Sequence, residues 1–299
     1  MGSGLLLAGG FPFESFATAD TQKLTILHTN DVHSHLDPFP MDGGKYQGQG
    51  GVAWRAALVE KIRKEEEHVL LLDAGDIFQG TPYFNMYKGE PEIKAMSMLQ
   101  YDACTMGNHD FDAGVEGFAK QLPHANFPVL TANYDFTHTA LEGKTQPYIT
   151  IKKGKLKIGI FGLGIELHGL VSEHAYGNTK YIDPLMTAKA ISEKLKKHEK
   201  CDMVICLSHL GYQYDSAKVS DMVLAKETEN IDLIIGGHTH TFLDKPMVVL
   251  NKSGKETIIN QVGWAGLRLG RLDFEFNSKK SSKLFNAQSV IITKQTRAF

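Results

Sequence analysis

Gly107-Asn108-His109-Asp110-Phe111-Asp112 follows a short apolar run, Tyr101 to Met106, and precedes a helical pattern starting near Val115. An amide, an imidazole and two carboxylates thus gather where a strand has just ended, the place α/β proteins reserve for reacting groups. Gly-Asn and His-Asp pairs also serve as ordinary polar turns, so this stretch alone decides nothing. Four more strand ends carry the same residue types: Asp31 with His33, then Asp76, His209, and His238 with His240. Together with Asn108 they offer seven nitrogen and oxygen donors, enough for two divalent metal ions with open positions. Asp31-x-His33 and His238-x-His240 each place two side chains on one side of an extended segment, so each pair is expected to clamp one ion. Asp76 has two carboxylate oxygens and can bridge the pair of ions. Unligated Asp and His would not so regularly end buried strands.

The elements that must position these residues follow from periodicity. Strands are expected at Lys23–Thr29, Val69–Leu72, Tyr101–Met106, Phe127–Ala132, Asp202–Leu207 and Ile231–Ile235, with a hairpin from Tyr148–Ile151 and Lys157–Phe161. Helices are expected at Val52–Glu67, where Val52, Ala56, Val59 and Ile62 share a face, and at Pro91–Gln100 and Gly114–Leu122. Two more fall at Pro184–His198, with Ala188, Ile191 and Leu195 on one side, and at Ser216–Lys226. Met247–Phe276 alternates strands and turns. Helix–strand alternation beside a strand-rich end implies an α/β sandwich of sheets covered by helices, in one domain over residues 20–277. Ser278–Lys283 reads as a polar basic linker opening a tail, 278–299, with one strand candidate at Val290–Thr293.

Several other residues invite a role and are assigned none or a minor one. Asp110 is expected to accept hydrogen bonds or shape the turn rather than ligate. His35 could approach the site; His28 is expected to pack inside its strand, and His68, His124, His138, His168, His174 and His198 fall in loops or helix ends. Phe78, Tyr83 and Phe84 are expected as core or rim, and Met96, Met98 and Met106 as core filler. Gly162-Leu163-Gly164 lacks the remainder of a dinucleotide-binding loop.

A formal charge of −2 with scattered Lys and Arg disfavours a nucleic-acid polymer or an anionic membrane as partner. Hydrophobic content of 42% is ample for a large core, and no run is long enough for stable membrane insertion. Thirteen histidines are many for 299 residues, which a metal site would explain. Cys104, Cys201 and Cys206 are expected as buried thiols without a disulfide. Leu5-Leu6-Leu7-Ala8 and Ala17-Thr18-Ala19 suggest a signal peptide over residues 1–19, cleaved before Asp20, hence an exported, periplasmic or extracellular protein. No basic residue precedes Lys23, so either a longer leader begins upstream or the segment is a cytosolic leader.

The order D-x-H, GD, GNHD, SH, GHTH resembles the calcineurin-like metallophosphoesterases. The spellings TNDVHSHL, DAGDIFQGTP, GNHDFD, LSHLG and GGHTH resemble, more narrowly, the N-terminal catalytic domain of the 5'-nucleotidase family, over roughly Leu24 to Phe276. The resemblance implies a four-layered α/β/β/α sandwich. It implies one ion held by Asp31, His33, Asp76 and His240 and another by Asp76, Asn108, His209 and His238. His109 would be the catalytic histidine and Asp112 its orienting partner. Phosphomonoester hydrolysis would follow, with ions about 3.5–4 Å apart acidifying a bridging water for in-line attack. Zn, Mn, Fe, Co and Ni all suit the donors. Full-length members carry a second domain that grips the nucleoside, and nothing in this chain is expected to replace it, so either a separate chain supplies that half or this domain acts alone on looser substrates. The same site would also serve a cyclic nucleotide phosphodiesterase, a sugar-phosphate phosphatase, a thiosulfohydrolase, or an idle metal-binding subunit.

Overall fold

Short apolar runs bounded by turn residues become the inner strands of two stacked sheets in the computed structural model, which describes residues 21–297. The first half of the chain builds β1 (Gln22–Thr29), α1 (Val52–Glu65), β2 (Val69–Asp73), α2 (Pro82–Tyr87), α3 (Glu90–Met98), β3 (Ala103–Thr105), α4 (Gly114–Gln121) and β4 (Val129–Leu130). A connecting region follows, with β5 (Tyr134–Asp135), β6 (Tyr148–Lys153), β7 (Leu156–Leu163), α5 (Glu173–Tyr176) and β8 (Lys180–Tyr181). The second half adds α6 (Pro184–Glu193), β9 (Met203–Ser208), α7 (Asp221–Glu227), β10 (Leu233–Gly236), β11 (Met247–Leu250), β12 (Glu256–Asn260), β13 (Arg268–Phe276) and β14 (Ser282–Ile291).

The sheets have strand orders β14-β13-β1-β2-β3-β4 and β11-β12-β10-β9-β7-β6. In each, the strands that carry the site are parallel: β1, β2, β3 and β4 in one, β12, β10, β9 and β7 in the other. Antiparallel strands close the edges, as β13 does against β1 and β6 against β7. Period-two alternation distributes the side chains. Leu24 and Ile26 of β1, Leu70 and Leu72 of β2, Ile205 and Leu207 of β9, and Leu233 and Ile235 of β10 meet between the sheets. Leu27, Leu71 and Cys104 face the other way, onto α1, α3 and α4, while Val204, Cys206 and Ile234 face α6 and α7. Three apolar interfaces separate four layers, the α/β/β/α sandwich expected. Strands buried on both faces explain why they read as unbroken apolar runs.

Some expectations need correction. Ser278–Lys283 is no linker: Asn277 Oδ1 accepts from the backbone N–H groups of Lys279 and Ser281, turning the chain into β14. β14 then pairs along β13 from Phe276↔Ser282 to Arg268↔Ile291, well ahead of the expected strand at Val290. As an exposed edge strand it needs no apolar run, so periodicity hid it. Met98 is 84% exposed on α3 rather than in the core, whereas Met96 and Met106 are buried. α2 was not anticipated; Thr81 caps it by accepting from the N–H of Tyr83, and Pro82 opens it. α7 starts at Asp221, capped by Ser220, rather than at Ser216. The three thiols are buried and unpaired. No described helix is long and apolar enough to cross a membrane. Residues 1–19, and with them the expected signal peptide, lie outside the described residues.

Candidate metal centre

All five polar segments emerge at the same edge, where the parallel strands β1, β2, β3, β9 and β10 end. Donor atoms of Asp31, His33, Asp76 and His240 come within 4.8 Å of one another, and so do those of Asp76, His209 and His238. Asp76 belongs to both groups. Asn108 joins the second, its Oδ1 lying 2.8 Å from His238 Nδ1. The expected ligands therefore converge, but not as extended pairs. Asp31 (φ 50°), His33 (φ 49°), Asp76 (φ 56°), His238 (φ 71°) and His240 (φ 51°) all adopt left-handed backbone. Asp31 and His33 do share a group, whereas His238 and His240 point into different groups. The expectation that His238-x-His240 clamps one ion fails because period-two geometry ends with the strand. Non-glycine residues pay for such torsions, and strain of this kind concentrates where a site demands a particular side-chain direction.

Hydrogen bonds lock these turns together. Asp31 N–H donates to Gly75 O at 2.9 Å and His33 N–H to Asp76 O at 3.0 Å, tying the first turn to the second. The Asp31 carboxylate accepts from His238 N–H at 2.9 Å, and Asp76 Oδ1 accepts from His109 N–H at 2.8 Å. Asp110 behaves as expected: its carboxylate gathers the N–H groups of Asp76, Ile77, Phe78 and Gly107 at 2.8–3.1 Å and belongs to neither donor group. The close approach explains Gly107, where a Cβ would fall 2.2 Å from Asp76 Oδ1.

The arrangement tests directly for a cation. His209 Nδ1 sits 2.7 Å from Ala74 O and His33 Nδ1 3.2 Å from Phe78 O, and a carbonyl can only accept. Each Nδ1 therefore carries a proton, which leaves Nε2 of each ring as the atom facing the carboxylates; on neutral His33 it is a bare lone pair. His209 Nε2 is buried without a hydrogen-bond partner, 3.1 Å from Asp76 Oδ2. His33 Nε2 is 3.0 Å from His240 Nε2 and 3.7 Å from Asp76 Oδ2. Lone pairs and buried carboxylates crowded this closely repel unless positive charge lies among them. Burial drives the same conclusion through proton affinity. It raises Asp31 to about 8, with Asp76 adding to the rise against the pull of His209. Burial would lower His209, yet Asp76 and Asp31 lift it to about 10, so a proton on its ring supplies positive charge among these carboxylates where a cation would otherwise do so. Burial pushes His33 down to about 4 and His238 down to about 3, leaving both neutral and able to donate a lone pair at pH 7. The residues fit divalent cations.

His109 occupies the rim. Its Nδ1 lies 2.8 Å from Asp112 Oδ2, a contact that raises its pKa above the ordinary histidine value, and its ring meets His33 edge-on at 5.2 Å. With 37% of its side chain exposed, it can reach a molecule entering from solvent.

Other expectations resolve plainly. His28 is buried, 2.9 Å from Asn260 Nδ2. His35 stays outside both groups; its Nδ1 faces the carbonyls of Val32 and His33, and its ring stacks on Phe39. Phe78 and Phe84 are core, while Tyr83 donates to Asp37 at 2.7 Å. Gly162 and Gly164 serve tight packing, since a Cβ would strike Leu130 O and Tyr134. Three supports escaped sequence reasoning. Asn30 donates to Asp31 and to Gly263 O, both at 2.6 Å. Gln261 Nε2 donates to Gly237 O at 2.7 Å, and the Trp264 ring stacks on His240 at 5.7 Å with 8° between planes. Gln261 and Trp264 follow β12, which pairs with β10, so a sixth polar strand end was the available signal.

A calcineurin-like phosphoesterase profile matches residues 24–242. A snake venom 5'-nucleotidase of Crotalus adamanteus is 33% identical over 92% of this chain and 49% of its own length. A 5'-nucleotidase of Bos taurus is 35% identical over 86% and 47%. The chain spans about half the length of these relatives. Among solved structures, a 5'-nucleotidase precursor from Thermus thermophilus superposes with a TM-score of 0.83 at 33% identity, covering 92% of this chain and 55% of that one. A Haemophilus influenzae NAD nucleotidase gives 0.81 at 27% identity, covering 91% and 57%. The matched span holds every strand end that feeds the two donor groups, and the chain belongs to the calcineurin-like phosphoesterase family.

Proposed function

We propose that the chain hydrolyses phosphomonoesters, nucleoside 5'-monophosphates foremost, with two divalent ions held by Asp31, His33, Asp76 and His240 and by Asp76, Asn108, His209 and His238. The observation that carries this reading is the pair of donor groups sharing Asp76, with the His109–Asp112 pair standing over them. When bound, the ions supply positive charge to phosphoryl oxygens and acidify the attacking water. Asp31 and Asp76, both fully buried, supply the negative charge that holds them, and Asp110 and Asn30 keep those carboxylates aimed. Asp112 fixes the His109 proton on Nδ1 and favours the imidazolium, so that His109 steadies the transferring phosphoryl group or protonates the leaving oxygen. The relatives' names support the nucleotide as substrate. Export belongs to the same reading, consistent with relatives from venom and with a precursor form.

Phosphate release from p-nitrophenyl phosphate and AMP by the metal-loaded chain tests this. His109→Ala should lower kcat about 10²–10⁴-fold while leaving bound metal unchanged. Equal turnover in the variant would remove His109 from the chemistry.

A further inference from the structure

Glutamate is rarely buried without a partner, yet Glu92 in the first turn of α3 is 2% exposed, the one buried glutamate among the described residues. It shares the inward face of that helix with Ile93 and Met96, where an apolar side chain would lose no hydration. A carboxylate near a helix N-terminus gains from the dipole, but it would gain as much from an exposed position, so the dipole does not explain the burial. Its partner does. Glu92 Oε1 accepts from the hydroxyl of Ser34, the residue that follows His33.

The turn that carries His33 is held in an unfavourable shape. Asp31, His33 and Ser34 all have left-handed backbone, with φ of 50°, 49° and 60°. Backbone bonds tie this turn to the loop after β2, including Ser34 N–H to Ile77 O at 2.8 Å. The Ser34 side chain, fully buried, ties it to two helices instead. Ser34 Oγ lies 2.7 Å from Thr81 Oγ1, and the Thr81 hydroxyl donates to Ser34 O at 3.0 Å. Ser34 gives its single hydroxyl proton to Glu92, so Thr81 is the donor toward Ser34. Gly80 allows the approach, since a Cβ there would fall 2.8 Å from His33 O. Thr81 at the cap of α2, Ser34, and Glu92 of α3 thus form one hydrogen-bonded chain. It joins two helices that bring no donor of their own to a residue adjoining a donor.

We propose that Glu92 is a positioning residue of the metal centre: by holding Ser34 it sets the turn that aims His33 at the group shared with Asp31, Asp76 and His240. The role rests on the two-ion reading above. His33 belongs to that group alone, while His209 and His238 stand in the other. Releasing Ser34 should therefore weaken one ion and spare its neighbour.

The test is calorimetric titration with Mn²⁺ of the metal-free native chain, Glu92→Ala, Glu92→Gln, Ser34→Ala and the Glu92→Ala/Ser34→Ala double variant, with melting temperatures measured alongside. The native chain should take two ions. Glu92→Ala should bind one of them about 10–100-fold more weakly and the other unchanged. Glu92→Gln keeps an oxygen for Ser34 and should restore both affinities. Its melting temperature should still fall, because its NH₂ replaces Oε2, which is buried without a hydrogen-bond partner. That split separates aiming from folding. Ser34→Ala should reproduce the selective loss and carries the comparison if Glu92→Ala does not fold. Adding Glu92→Ala to Ser34→Ala should weaken neither ion further, since both changes break the same bond. Native affinity for both ions in Ser34→Ala, equal losses at the two ions, no rescue by Glu92→Gln, or additive losses in the double variant would each overturn the positioning role. A native chain that takes up fewer than two ions overturns the two-ion reading instead.

Discussion

Asp110 belongs to neither donor group, yet four backbone N–H groups from two loops end on its carboxylate. Those donors fix the turn carrying Asp76, the residue common to both groups, and the glycine before Asn108. An amide in its place would turn an NH₂ toward backbone donors and lose at least one of the bonds. Asp110→Asn should therefore fold but bind metal about 10–100-fold more weakly, as changes to residues that orient ligands generally do. Titration with Mn²⁺ or Zn²⁺ reads the loss; unchanged affinity would show that the loops hold without it. The seven donors were legible in the sequence because their types recur at successive strand ends, whereas the roles of His109 and Asp112 came only from the resemblance to a family. The separation of His238 from His240 was not, since spacing along the chain says nothing of left-handed torsions past the strand. Trp264 and Gln261 escaped for another reason: neither is a ligand type, and only the pairing of β12 with β10 brings them to the site.

Helix α7 anchors the loop after β9 against the end of β10. Asp221, its first residue, is fully buried against Gly236, where a Cβ would fall 2.1 Å from Asp221 Oδ2. Burial raises this carboxyl to about 8, with the Ser208 hydroxyl and His209 pulling the other way. The unfolded chain releases that proton near about pH 3.9, so between the two values the folded state holds the extra proton. Stability from this group is complete at low pH and is lost as pH rises toward 8. Asp221→Asn, neutral throughout, should lack that loss, so its melting temperature should gain on the native chain's between pH 5 and 8. Parallel curves would contradict it. Buried elements such as β2 and β9 announced themselves as apolar runs. β14 and α2 did not, because an edge strand and a two-turn surface helix are specified by partners and by the Thr81 cap rather than by periodicity.

At the scale of the whole molecule, the two sheets meet at the metal centre. β1, β2 and β3 bring Asp31, His33, Asp76 and Asn108 from one sheet, while β9 and β10 bring His209, His238 and His240 from the other. The apolar layer between the sheets sets their spacing, and the centre forms only when that layer is packed. Burying Asp31 and Asp76 there opposes folding until cation charge offsets them, so metal loading and function are expected to rise together. The most direct measurement follows p-nitrophenyl phosphate turnover and bound metal per chain in one titration of metal-free protein with Mn²⁺. Turnover should be absent at the start, saturate at two ions per chain, and vanish in Asp76→Asn, which spoils both donor groups at once. Turnover that survives complete chelation, or full metal loading without phosphate release, would contradict a two-metal phosphoesterase.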